Sequence, residues 1–342
     1  MPDTLKAPFP YFGGKAKIAP LVWAALGDVK HYIEPFFGSG AVLLARPGYD
    51  PTRHIETVCD MDCLLANAWR AMQFDPDGVA KYCDWPANHA DLNARRKWLL
   101  ARQPELRAIM GGDPEAYDTK AASYWIWAAS CWIGSGLTKS GARPHVIDAG
   151  KGVHKLSLAA DTLGKRPHVG SAGMGVHKLS LAAQPDGELD VRDPYTPALY
   201  AWFRRLSERL RRVRVVCGDW SRVCGGNWQA HMAPCGMFFD PPYSHDVGRD
   251  KVLYAEESAD VAKAVALWAV ERGGDPAYRI VIAGYADEHE WLLERGWTMK
   301  RWKAQGGYGN QANGRGKANR HREALFLSPH CAGGKRPGLF GE

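Results

Sequence analysis

Ile33-Glu34-Pro35-Phe36-Phe37-Gly38-Ser39-Gly40 joins an apolar strand to a tight turn, and Ala41–Ala45 then continues as a helix. The strand ends in a carboxylate, Glu34. Glycines at such a turn let the backbone approach a ligand closely, and the start of the helix faces that ligand. No Gly-Lys-Ser/Thr follows, so this is not a P-loop, and the third glycine of the dinucleotide fingerprint is missing. Roughly twenty residues later a second strand ends at Asp60, where a carboxylate can accept both hydroxyls of a ribose.

Working outward, seven segments read as short strands: Tyr32–Phe36, Glu56–Asp60, Arg214–Gly218, Met237–Asp240, Arg279–Ala283, Thr298–Lys303 and Ala324–Ser328. Most are rich in Val, Ile, Phe or Trp and stop at Gly, Asp or Pro. Helical patterns lie between several of them, at Pro20–Leu26, Leu64–Met72, Thr196–Leu210 and Ser258–Glu271. The alternation predicts an α/β fold with a doubly wound, mostly parallel sheet. It is broken once, from about Phe74 to Pro194, a span too long for a loop in a compact domain. We read residues 74–194 as an inserted, mainly helical domain, residues 1–73 and 195–330 as the sheet domain, and 331–342 as a tail. The insert contains a near-repeat. RPHVIDAGKGVHKLSLAA at 143–160 returns as RPHVGSAGMGVHKLSLAA at 166–183, as expected of a duplicated surface loop.

A second segment, Phe238-Phe239-Asp240-Pro241-Pro242-Tyr243, carries the sharpest chemistry. Two prolines stop a buried strand abruptly and leave an acid, a proline carbonyl and an aromatic ring at the carboxyl edge of the sheet. Ligands bind at that edge in open α/β folds. The Asp240 carboxylate and the Pro241 carbonyl can accept the two N–H groups of an exocyclic amine and stabilise the charge that develops when that nitrogen is alkylated. Tyr243 can stack on the face of a base. A third segment, Pro10-Tyr11-Phe12-Gly13-Gly14-Lys15, could close over a ligand that bears a carboxylate.

The bulk properties agree with a globular protein that handles a polyanion. The 342 residues are 46% hydrophobic and 24% charged, with a formal net charge of +7. The eight cysteines form no C-x-x-C pair, so neither a disulfide framework nor a zinc site is expected, and the histidines of the repeat, His145, His154, His168 and His177, have no matching ligand spacing. No apolar run has the length of a signal peptide or a membrane span, and the expected location is the cytoplasm. Two stretches are strongly basic. One has Lys139, Arg143, Lys151, Lys155, Lys165, Arg166 and Lys178, and the other has Lys300, Arg301, Lys303, Arg315, Lys317, Arg320 and Arg322. Both suit a phosphate backbone.

Taken in this order, the motifs resemble those of Dam-like DNA adenine methyltransferases of bacteria and phages, and the resemblance extends over nearly the whole chain. It implies a Rossmann-like sheet that binds S-adenosyl-L-methionine and an inserted target-recognition domain. The implied cofactor residues are Tyr11, Lys15, Glu34, Phe36, Gly38, Gly40, Asp60, Asp219, Trp220 and Asp240. The implied catalytic set is Asp240, Pro241, Pro242 and Tyr243. It further implies a double-stranded DNA partner and an adenine flipped from the helix, since N6 is out of reach inside the stack. The run from Tyr124 to Leu137 looks like the family's DNA-probing element, with Trp132 as the aromatic wedge. Lys139, Arg143, Arg315, Lys317 and Arg320 are the accompanying phosphate contacts. The family's Asn-Gly-Leu is here Ile133-Gly134-Ser135-Gly136-Leu137, which leaves the target sequence open. Packing on a core is the competing role for the tryptophans of this run. A restriction-modification or phage setting follows from the resemblance alone. Cytosine-N4 methylation, and DNA binding without catalysis on a methyltransferase scaffold, are the alternative functions.

Overall fold

A computed structural model describes residues 5–11, 15–113, 115–132, 137, 195–242, 254–302 and 323–332. The chain divides into two compact units, residues 15–61 with 212–342 and residues 1–14 with 62–211.

The first unit is built on one seven-stranded sheet. Its strands are β1 (His31–Glu34), β2 (Ile55–Asp60), β3 (Val213–Cys217), β4 (Cys235–Phe239), β5 (Tyr278–Tyr285), β6 (Thr298–Arg301) and β7 (Glu323–Leu327). The order is β3-β2-β1-β4-β5-β7-β6, with β7 antiparallel to both neighbours and the other pairs parallel. All seven expected strands are present, with ends shifted by a few residues. Lys303, expected in the sixth, lies outside the described residues.

The helices of this unit are α1 (Ala19–Leu26), α2 (Ala41–Leu44), α8 (Ser221–Cys224), α9 (Tyr254–Gly273) and α10 (Ala286–His289). Alternation along the central strands assigns each residue to one face. Ile33, Met237, Phe239, Ile280, Ile282 and Phe326 pack with Val265, Ala266 and Ala269 of α9 in one buried cluster. Tyr32 points to the opposite face, where its ring lies 4.7 Å from Trp23 of α1. Strands buried on both faces need continuous apolar runs, which is why Cys235–Phe239 is buried at every position.

The second unit is helical: α3 (Cys63–Phe74), α4 (Pro76–Cys83), α5 (His89–Gly112), α6 (Thr119–Cys131) and α7 (Tyr195–Leu210). The N-terminal residues are capped by side chains of the preferred kind. Asp62, Asp75, Asn88 and Asp118 accept backbone N–H groups at the starts of α3, α4, α5 and α6. The sequence boundaries at 73 and 195 had placed α3 and α7 with the sheet. Both group with the other helices because they bury their apolar faces there. Leu199, Phe203, Leu206 and Leu210 of α7 are buried, and so are ten of the twelve residues of α3. The repeat at 143–160 and 166–183 lies outside the described residues. None of the eight cysteines is in a disulfide, and six of them are buried; no described helix is long and apolar enough to cross a membrane.

Two buried histidines of the sheet unit make the fold sensitive to acid. Burial pushes His31 and His289 from 6.5 down to about 4, with Arg214 and Arg46 adding to the shift at His31. Both stay neutral in the fold while the unfolded chain takes up protons below 6.5. The stability they allow is therefore intact above that pH and falls as pH drops towards 4, by on the order of 3 kcal/mol per group. A His289→Gln variant, neutral throughout, should lose less stability than the wild type between pH 7 and pH 4.5 in urea melts, and parallel losses would contradict this.

Candidate active site

The chemistry-bearing residues collect at the carboxyl ends of four adjacent strands. Glu34 ends β1, Asp60 ends β2, Gly218 and Asp219 follow β3, and Asp240 follows β4. β1 lies between β2 and β4, so the chain direction of the winding reverses there. This is the topological switch point, where the connections after β1 and β4 diverge and leave a crevice.

The glycine turn forms one wall of the crevice. Gly38 and Gly40 have φ of 49° and 63°, a region that L side chains rarely adopt. A Cβ on Gly40 would sit 2.7 Å from the Phe37 ring. The turn is tied to β2 at two points. Phe37 N–H donates to the Cys59 carbonyl at 3.0 Å, and Gly38 N–H donates to Asp60 Oδ2 at 3.0 Å. Asp60 therefore braces the turn with one oxygen while it sits at the strand end. Its main-chain carbonyl accepts the Gly218 N–H at 2.9 Å, which joins the segment after β3 to the same edge.

The acids are clustered. Lys15 Nζ pairs with Asp240 Oδ2 at 3.0 Å, the lysine side chain being 9% exposed and the aspartate 20%. Glu34 is almost fully buried and accepts the Tyr32 hydroxyl at 2.9 Å. Burial lifts its carboxyl well above the usual 4.5. The Tyr32 hydroxyl and the Leu43 N–H oppose that shift, while the negative charges of Asp240 and Glu56 add to it. Glu34 thus holds its proton in the fold, whereas the unfolded chain releases it from about 4.5 upward. The stability gained from the neutral acid is complete below that pH and declines as pH rises through the folded value. Glu34→Gln, which stays neutral, should gain on the wild type in thermal melts as pH is raised from 5 to 9. Parallel pH profiles would refute a buried titrating Glu34.

Aromatic rings pack together on the α9 face of the sheet. Phe239 lies 6.5 Å from Phe36, 6.3 Å from Trp220 and 5.6 Å from Trp268. Asp219 Oδ1 accepts the Ser221 N–H at 2.9 Å just ahead of α8. Gly218 has φ of 147°, and a Cβ there would meet the Arg222 side chain at 2.6 Å.

Of the residues singled out from sequence, Lys15, Glu34, Phe36, Gly38, Gly40, Asp60, Asp219, Trp220, Asp240, Pro241 and Pro242 all belong to the sheet unit. Pro241 is buried and Pro242 exposed. Tyr11 belongs to the helical unit, 40% exposed, with its ring edge-on to Phe9. Trp132 is the half-buried C-cap of α6, with the Arg96 guanidinium 5.6 Å from its ring. Trp125 and Trp127 are buried within α6, as core packing requires. Tyr243, Lys139, Arg143, Arg315, Lys317 and Arg320 lie outside the described residues. Sequence reading missed Tyr32 and the buried Arg46–Glu56 pair. Tyr32 reads as one more apolar strand residue, and only its spacing of two from Glu34, which sets both on one face, hints at the bond.

Residues 11–134 match the model of a family described as D12 class N6 adenine-specific DNA methyltransferase. The matched span runs from Tyr11 through the glycine turn and Asp60 to the residues just beyond α6. It agrees with the resemblance to Dam-like enzymes read from the motifs, and the seven-stranded, mostly parallel sheet is that expected of a Rossmann-like methyltransferase. No curated protein matches the chain.

Proposed function

We propose that the chain transfers a methyl group from S-adenosyl-L-methionine to N6 of an adenine in double-stranded DNA. One observation carries this reading: the ion-paired Asp240, followed by two prolines, comes directly after the strand beside the glycine turn at the switch point of the sheet. The residues suit the cofactor. The cradle at Gly38 and Gly40 admits no Cβ without strain, the rings of Phe36 and Trp220 offer apolar faces, and the acids Asp60 and Asp240 suit a cationic ligand. When bound, the cofactor supplies an electrophilic methyl group on a sulfonium.

The chain's own residues prepare the acceptor. Asp240 and the Pro241 carbonyl accept the two amine N–H groups and turn the nitrogen lone pair out of conjugation. Lys15 holds the Asp240 carboxylate in place, and Asp240 receives the proton that leaves the nitrogen. Asp60 braces the turn through Gly38 and receives the ribose. Tyr243 stacks on the base, which has to leave the duplex to reach this edge. The helical unit serves target recognition, with Trp132 as the wedge and Lys139 and Arg143 on the phosphates, and Arg315, Lys317 and Arg320 of the sheet unit add further phosphate contacts.

Incubation with tritiated S-adenosyl-L-methionine and duplex DNA, followed by nucleoside analysis, should yield N6-methyladenine. N4-methylcytosine as the sole product would replace adenine by cytosine. No cofactor binding in calorimetry would leave a DNA-binding scaffold.

A further inference from the structure

The helical unit contains a cavity of about 630 Å³ among α4, α5 and the segment that leads into α6. Lys81, Tyr82, Arg102, Tyr117 and Lys120 line it, together with the carboxylates of Asp75 and Asp118. Both carboxylates are engaged within the fold. Asp75 accepts the Gly78 N–H at 2.9 Å and the Thr119 hydroxyl at 2.8 Å. Asp118 accepts the Ala121 N–H at 2.8 Å and Arg102 Nε at 3.0 Å.

Lys81 and Lys120 are different. Both are exposed, and among the described residues neither has a carboxylate partner. Rings hold them instead. Lys81 Nζ lies 5.7 Å from the Tyr82 ring, and Lys120 Nζ lies 5.3 Å from Trp98 and 5.5 Å from Tyr124. A cation held over a ring keeps its hydrogen-bond donors for an anion. At the rim Tyr117 stacks on the exposed Phe74, with centroids 5.6 Å apart and planes 16° from parallel.

The same alternation of cation and ring continues along the seam of α5 and α6. Lys120 and Tyr124 share one face of α6, Trp98 of α5 packs edge-on to Tyr124 at 5.4 Å, and Arg96 of α5 sits over Trp132 at the far end. At the rise of an α-helix, Lys120 and Trp132 are about 18 Å apart. Interleaved cations and rings over such a length are what a surface needs to follow a nucleic-acid backbone.

We propose that this seam is a backbone track for duplex DNA, with Lys81 and Lys120 contacting phosphates at the end remote from Trp132. The proposal rests on the reading of the chain as a DNA methyltransferase. It adds that contact extends about five base pairs beyond the Trp132 end, at about 3.4 Å of duplex axis per base pair.

The test compares duplexes that carry the target adenine with four or with twelve flanking base pairs on each side. Wild type should bind the long duplex more tightly and with a steeper salt dependence. Lys81→Ala/Lys120→Ala should weaken long-duplex binding about tenfold or more and reduce the salt slope by about two, while methylation of the short duplex stays at the wild-type rate. Both lysines are exposed, so an unchanged melting temperature confirms that the variant is folded. An unaltered salt slope and affinity for the long duplex would overturn the track while leaving the methyltransferase reading intact. Inorganic phosphate that binds wild type but not the variant, with the duplex slope unaltered, would make the cavity a site for free anions and equally overturn it. Failure of wild type to bind either duplex would remove both.

Discussion

Asp240→Ala removes methyl transfer by at least about a hundredfold, measured as tritium incorporated into duplex DNA under saturating cofactor. The acid sits one residue beyond β4 and its side chain is partly open to solvent. The truncation therefore leaves the strand's apolar packing untouched. It does break the ion pair with Lys15, whose ammonium is only 9% exposed. A stability loss of about 1–3 kcal/mol follows from that. Asp240→Asn separates the two effects. It keeps the shape and an oxygen that still accepts one N–H, but it removes the negative charge that stabilises the alkylated nitrogen and places an NH2 where an acceptor is needed. Its turnover should fall nearly as far as that of the alanine variant. Near-normal turnover in either variant would take Asp240 out of the mechanism.

The residues that made the site legible are those whose backbone role and chemical role coincide. Gly38 and Gly40 announce a turn with positive φ, the prolines after Asp240 announce the end of a strand, and alternating apolar runs mark the strands between them. Each of these signals is local. The features that stayed hidden depend on partners distant in sequence. Lys15 reads as part of a glycine-rich loop until a strand more than two hundred residues later brings Asp240 to its side. The unit boundary at Asp62 was equally invisible, because Cys63–Phe74 has apolar residues on all sides and its pattern does not say which neighbours it buries against. Pro104 in the sequence argues for a break, yet α5 runs through it from His89 to Gly112. Asp60 illustrates a finer limit. Its position at the strand end is readable, whereas its bond to the Gly38 N–H requires the turn to fold back over β2.

Arg46→Met lowers stability by about 3–5 kcal/mol, because it removes the cation from an ion pair buried in the core. The Arg46 and Glu56 side chains are 2% and 1% exposed and meet at 3.1 Å. The guanidinium also donates to the Val29 carbonyl ahead of β1 and lies 5.1 Å from the Trp23 ring. Trp23 in turn donates to the Val42 carbonyl at 2.7 Å and packs on Tyr32, the partner of Glu34. One buried cation thus connects α1, β1, α2 and β2 beneath the glycine turn. Cofactor affinity should therefore fall with stability in Arg46→Met, although the residue lies below the crevice and off its surface. The companion Arg46→Met/Glu56→Leu replaces the pair by apolar groups of similar size and should recover most of the lost stability. If the double variant is as unstable as the single one, packing around Trp23 matters more than the buried charge. If Arg46→Met unfolds at the wild-type denaturant midpoint, the pair contributes nothing beneath the turn.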